Sequence, residues 1–179
     1  AEGRLAGLIT KQDVVKRQMF TSAAKDANGQ LRVGAAVGVG DDCAERGAAL
    51  VAAGADALFI DAATGHTTRV ADVIARLRAK VGGEIPIVAG NVVTADGARH
   101  LIDAGASAIK VGVGPGSICT TRIISGVGMA QFTAVQEAAS VCRERGVTVI
   151  ADGGIRYSGD IVKALAGGAD LVMLGSLLA

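Results

Sequence analysis

One phrase returns three times along this chain, and it restricts the fold more than any other feature. Ala53-Gly54-Ala55-Asp56 runs into Ala57-Leu58-Phe59-Ile60-Asp61, Ala104-Gly105-Ala106-Ser107 into Ala108-Ile109-Lys110-Val111-Gly112, and Gly167-Gly168-Ala169-Asp170 into Leu171-Val172-Met173-Leu174-Gly175. Each copy reads as a helix ending at glycine, a short turn and a buried strand. Three further apolar runs, 32–37, 86–89 and 147–151, supply more strands. Helical patterns fill 42–53, 68–81, 94–104, 131–145 and 158–167. Six strands that are apolar throughout, alternating with helices, predict a parallel sheet covered by helices.

An open doubly wound sheet and a (β/α)8 barrel both fit this alternation. Near-regular spacing favours the barrel, as does the chemistry collected at successive strand ends: Asp61, Asn91, the 112–119 loop, Asp152-Gly153-Gly154 and Gly175-Ser176. A barrel gathers such ends into one site, whereas an open sheet spreads them along an edge. Eight strands are expected of a barrel and six are read here, so the sequence predicts an incomplete one. The opening differs. Residues 2–10 read as a turn and a short strand, 11–16 as a brief helix, and 20–31 as a polar connector.

At 179 residues and a formal net charge of +1, the chain is long enough for one substantial core and too neutral for a nucleic-acid groove. Its aromatic content of 2% leaves few rings to stack on bases. No apolar run is long enough to span a membrane. Three cysteines without metal-ligand spacing suggest a reducing, cytoplasmic setting.

Cys119 follows Gly112-Val113-Gly114-Pro115-Gly116-Ser117-Ile118 and precedes Thr120-Thr121-Arg122. Glycine-rich backbone can turn its amides toward a ligand, and a thiol beside hydroxyls and a cation suits a nucleophile working near an anion. Cys43 and Cys142 fall in helical patterns and read as core. Asp152 is placed to accept hydrogen bonds from a sugar diol. Gly153, Gly154, Ser117, Gly175 and Ser176 suit a phosphate. Asp61 could hold a second hydroxylated ligand, Asn91 could orient either one, and each could equally cap a helix. His66 lies close enough to a strand end to reach the site, and His100 reads as surface.

Gly114–Arg122, Gly126-Val127-Gly128, Ala151–Asp160 and Met173-Leu174-Gly175-Ser176 closely resemble the IMP dehydrogenase / GMP reductase family. The resemblance covers nearly the whole chain. It implies a (β/α)8 barrel into which a pair of CBS modules is inserted. Residues 1–18 would then be the end of a CBS module, 19–30 a connector and 31–179 strands three to eight. Two strands would precede residue 1, and a mobile flap would follow Ala179. The 179 residues alone would be inactive.

The activity implied is oxidation of IMP to XMP with reduction of NAD, and the alternative is NADPH-dependent conversion of GMP to IMP. By resemblance Cys119 attacks C2 of the purine, giving a thioimidate that water hydrolyses with Thr121 beside the reacting carbon. Ser117, Gly154, Gly175 and Ser176 match phosphate contacts, with Gly153 in the same turn, and Asp152 matches the ribose contact. Asp61 matches the nicotinamide riboside contact, with Asn91, Gly112 and Gly114 lining the same centre. Carbonyls of Gly114, Gly116 and Cys119 match ligands of a potassium ion completed by a neighbouring subunit. A homotetramer is implied, with purine nucleotides at the CBS modules. Two departures stand out: Ala62-Ala63-Thr64-Gly65-His66 where Thr-Ala-His-Gly-His is usual, and Ala130-Gln131 where Pro-Gln is usual.

Overall fold

A computed structural model describes residues 3–179, which divide into two compact units at residues 32 and 33. In the first unit α1 spans Lys11–Met19. Thr10 caps it: its hydroxyl accepts from the Asp13 N–H at 3.2 Å, and the Asp13 carboxylate accepts from the Thr10 N–H at 2.8 Å. The Thr10 hydroxyl and N–H hold the Asp13 carboxyl below its ordinary range. The helix is longer than the sequence pattern suggests. The short strand expected before it does not form among residues 3–10, where no partner strand lies alongside, and residue 2 falls outside the described residues. Within 20–31, a turn is closed by the Asp26 carboxylate, which accepts from the N–H groups of Asn28 and Gln30. An antiparallel bridge joins Lys25 to Leu31.

The second unit alternates strand and helix: β1 Gly34–Val37, α2 Cys43–Ala52, β2 Ala57–Ile60, α3 Thr68–Val81, β3 Ile87–Val92, α4 Ala95–Asp103 and β4 Ala108–Val111. It continues with α5 Thr121–Ser125, α6 Gln131–Arg145, β5 Thr148–Asp152, α7 Ser158–Ala166, β6 Leu171–Met173 and a 3-10 turn, Ser176–Leu178. The strands form one sheet in the order β1-β2-β3-β4-β5-β6, every pair parallel. A doubly wound sheet must reverse its strand order, and this one does not. Helices α2, α3, α4, α6 and α7 contribute to the core on one face of the sheet, as sequential crossovers of one hand require. The second unit is therefore a parallel six-strand half-barrel, the winding of a partial TIM barrel.

Strand periodicity sorts the core into two layers. Leu58, Ile60, Ile87, Ala89, Ile109, Val111, Val149 and Ala151 face the helices, against Val70, Ile74, Leu77, Leu101, Val135 and Cys142. Residues one step out of phase, Val88, Ala108 and Ile150, form the other layer with Phe59 and Met173. Because both faces are apolar, the strands lack hydrophobic alternation in sequence. Cys43 and Cys142 are core, as the helical patterns predict.

Arg78, half-buried on α3, ties two connections together. Its guanidinium donates to the carbonyls of Gly82, Gly83, Ile85 and Gly105 and to the Ser107 hydroxyl, and that hydroxyl accepts from the N–H of Ile87 at the start of β3. Arg78→Ala is expected to destabilise the protein by about 3 kcal/mol, because several acceptors lose a charged donor together. Calorimetry should show a fall of roughly 6–12 °C in melting temperature, and an unchanged melting temperature would show the guanidinium to be dispensable.

Candidate functional site

The layer facing away from the helices turns polar at the C-terminal strand ends. Asp61 follows β2, while Asn91 near the end of β3, Lys110 on β4 and Asp152 at the end of β5 continue the series. Asn91 lies within β3 rather than beyond it, because that strand runs to Val92. Asp152 is the hub. Its Oδ2 accepts from Lys110 Nζ at 2.5 Å and from Asn91 Nδ2 at 2.9 Å. The same Asn91 amide donates to the Gly112 carbonyl at 2.7 Å. Lys110 and Asp152 keep only 13% and 24% of their side chains exposed, so water screens the pair poorly. A cavity of about 370 Å3 lies beside them, lined by Gly34, Ala36, Phe59, Ile60, Asp61, Lys110 and Met173. It has Lys110 and the exposed Asp61 in one lining. Lys110 went unnoticed in the sequence, where it is a lone cation inside an apolar strand; that misfit in a buried run was the available signal.

The cysteine loop packs directly on the Asp152 turn. Gly153 has φ +89°, and a Cβ there would lie 2.9 Å from Pro115 Cγ and 3.0 Å from the Gly116 nitrogen. Gly112, with φ +137°, has no room for a Cβ against the Asp152 carbonyl and the Gln131 amide. These two glycines let the nucleophile loop and the carboxylate turn touch. Asp160 closes the far side of the turn, accepting from the N–H groups of Arg156 and Tyr157 at 3.0 and 3.1 Å. Those two N–H groups hold its carboxyl below the ordinary range.

Within the loop, Cys119 is half-buried and its N–H donates to the Gly116 carbonyl at 3.1 Å. Its Sγ lies 3.2 Å from Thr121 Oγ1. The thiol donates to that hydroxyl, whereas the thiolate accepts from it. The Thr121 hydroxyl and N–H therefore hold the thiol below its ordinary range, helped by the Gly114 N–H and the Arg122 charge. Cys142 shows the opposite: burial, then the charge of Asp170, pushes its thiol up to about 11. Of these two thiols, Cys119 has the nucleophile's environment. Thr121→Val should raise the Cys119 pKa by deleting the hydroxyl's hydrogen bond. Iodoacetamide labelling of Cys119 should then slow at neutral pH and its inflection move to higher pH; an unmoved inflection would assign the shift elsewhere.

Two expectations need correction. Arg122 does not stand ready for an anion, since its guanidinium donates to the carbonyl of Val113 at 3.2 Å and to that of Met129. It staples the two sides of the loop while its charge still reaches Cys119. His66 turns to His100 on α4, with ring centroids 5.3 Å apart, and its preceding Gly65 N–H donates to the Asn91 carbonyl at 2.8 Å. The loop after β2 is thereby tied to the end of β3, with the exposed His66 ring beside the α4 histidine. Ser117, Gly175 and Ser176 are exposed. A Cβ on Gly175 would meet nothing within 4 Å, so its backbone is open to a ligand.

A profile of the IMP dehydrogenase / GMP reductase domain matches residues 9–179. The chain is 58% identical over 178 residues to inosine-5'-monophosphate dehydrogenase of Aquifex aeolicus, covering 99% of this chain and 36% of that protein. To the Mycobacterium tuberculosis enzyme it is 56% identical over 177 residues, covering 99% and 34%. Among solved structures, a cysteine-to-alanine variant of GMP reductase from Trypanosoma brucei in complex with guanosine 5'-monophosphate superposes with a TM-score of 0.87 at 48% identity, covering 96% of this chain and 36% of that one. Another structure of that variant gives 0.89, with 96% and 39% covered. The chain thus spans about a third of the length of its curated relatives. With its match over residues 9–179 and its parallel, sequentially wound sheet, this chain belongs to the IMP dehydrogenase / GMP reductase family.

Proposed function

We propose that the protein carrying this chain oxidises IMP to XMP with reduction of NAD. The observation that carries the reading is Cys119, its sulfur 3.2 Å from the Thr121 hydroxyl, in a loop seated on the Asp152 turn. The 56–58% identity to IMP dehydrogenases supports it further.

Cys119 acts as the nucleophile and its sulfur bonds to C2 of the purine. NAD held beside C2 would supply the acceptor for the C2 hydrogen, which leaves as hydride. Water then adds at C2 and the carbon–sulfur bond breaks, releasing XMP, the thiolate and one proton to solvent. Thr121 stabilises that thiolate on both sides of the cycle and stands beside the carbon during hydrolysis. Asp152, with its charge held between Lys110 and Asn91, accepts from the ribose hydroxyls. Gly153, Gly154, Ser117, Gly175 and Ser176 receive the phosphate.

NAD would be held by Asp61, whose carboxylate lines the cavity and suits ribose hydroxyls, with Asn91, bonded to the Gly112 carbonyl, and Gly114 assigned to the same centre. A potassium ion would be held by carbonyl oxygens of Gly114, Gly116 and Cys119, hard donors of the kind it takes. It would fix the loop that presents the thiol. Residues 1–18 are assigned to the end of a CBS module that binds purine nucleotides, 19–30 to a connector and 31–179 to the barrel. The assembly is a homotetramer. The three unpaired cysteines support a cytoplasmic setting, and no helix among the described residues is long and apolar enough to cross a membrane.

The likeness to GMP reductase structures favours a second reading, reduction of GMP to IMP with loss of ammonia. Assaying the complete protein with IMP and NAD, and separately with GMP and NADPH, decides between them. NADH formation with an IMP adduct on Cys119 is the expected result; NADPH consumption with GMP alone would replace it.

A further inference from the structure

Gln131, the first residue of α6, reaches across two strand ends. Its Nε2 donates to the Val111 carbonyl at 2.9 Å and to the Asp152 carbonyl at 3.0 Å. Val111 is the last residue before the cysteine loop, and Asp152 is the hub carboxylate's own residue. One side-chain amide thus fixes the backbone that presents the nucleophile relative to the backbone that presents the ribose acceptor. Neither strand end can drift while both bonds hold.

The surroundings are shaped around that amide. A Cβ on Gly112 would lie 2.9 Å from both Nε2 and Oε1 of Gln131, and one on Gly154 would lie 3.7 Å from its Cβ and Cγ. Gly112 and Gly154 both take positive φ, at +137° and +77°. Gln131 Oε1 is buried and has no partner among the described residues. An amide kept with one buried oxygen unsatisfied bears a desolvation cost, which an apolar side chain of the same length would avoid. What the amide supplies that such a side chain could not is the pair of N–H donations to the Val111 and Asp152 carbonyls. Both Nε2 bonds run to strand-end carbonyls, so the amide donates away from the start of α6.

We propose that Gln131 is a positioning residue, setting the distance between the Cys119 loop and Asp152 and so aligning a bound purine nucleotide with the thiol. The inference rests on the proposed chemistry of Cys119 and Asp152 and applies to either reaction of the family.

The test uses the complete protein and whichever reaction its wild type performs, so failure of the dehydrogenase reading is seen in the wild-type assay itself. Gln131→Met keeps length and burial but donates nothing. Gln131→Glu keeps shape and sets a carboxylate against two carbonyl oxygens. Both variants are expected to lose tenfold or more in kcat. KM for the dinucleotide should stay within twofold, and iodoacetamide should label Cys119 at the wild-type rate. Wild-type kcat in the Met variant would overturn the proposal. So would a kcat loss matched by equal loss of folded protein in thermal melts and of Cys119 labelling, which would make the amide merely structural. If Met alone fails to fold, the same readings on Glu decide.

Discussion

Cys119→Ser is expected to lower turnover of the complete protein by on the order of 10^4-fold or more, as loss of a covalent nucleophile does. Serine preserves the loop, because its hydroxyl can still donate to Thr121 Oγ1 across the span that the thiol covers at 3.2 Å. Stability should change by no more than about 0.5 kcal/mol, as for substitutions outside the packed core. An alkoxide at neutral pH is out of reach for a serine with no imidazole base, and the His66 ring lies beside His100, 5.3 Å between centroids. Intact-protein mass spectrometry should show a nucleotide adduct on the wild type and none on the variant. Residual turnover near wild type would remove Cys119 from the chemistry altogether.

Asp152→Ala should act on both binding and stability. It removes the acceptor of Lys110 Nζ and Asn91 Nδ2 together. An ammonium left at 13% exposure without its counter-charge costs about 2–4 kcal/mol. Affinity for IMP should fall roughly 100-fold, the equivalent of about 3 kcal/mol of charge-assisted hydrogen bonding to the ribose hydroxyls. Affinity for NAD should change far less. Asp152→Asn separates the two effects, since it keeps the shape and one acceptor oxygen but not the charge. Titration calorimetry with each ligand reads the result, and unchanged IMP affinity would reject the role given to this carboxylate.

The strand–helix alternation was legible because each unit carries its own signals: a glycine at the helix end, then an uninterrupted apolar run. The spans of α3 and α6 agree with the sequence pattern to the residue. β3 was cut short at Ala89, since Gly90 and Asn91 look like turn residues and only pairing with β4 keeps them extended. α5 lay hidden in a stretch that glycines made look irregular. Within the site, Cys119 and Asp152 stood out by local context. Lys110, Gln131 and the stapling role of Arg122 did not, because each is defined by a partner on another strand or at the far side of a loop. Asn91 meets Asp152 across 61 residues of sequence, and no local pattern encodes such a meeting.

The strictly sequential strand order separates how the second unit holds together from how its site works. Each strand hydrogen-bonds only to its neighbours in sequence, so cohesion accumulates along the chain by nearest-neighbour terms. The rim is different: Asn91, Lys110 and Asp152 come from three successive strands and converge on one carboxylate. Damage to a single strand–helix pair would be felt locally as lost stability and yet everywhere as lost chemistry. Such a chain can tolerate drift in its helices one at a time, while its strand ends must change in concert or not at all.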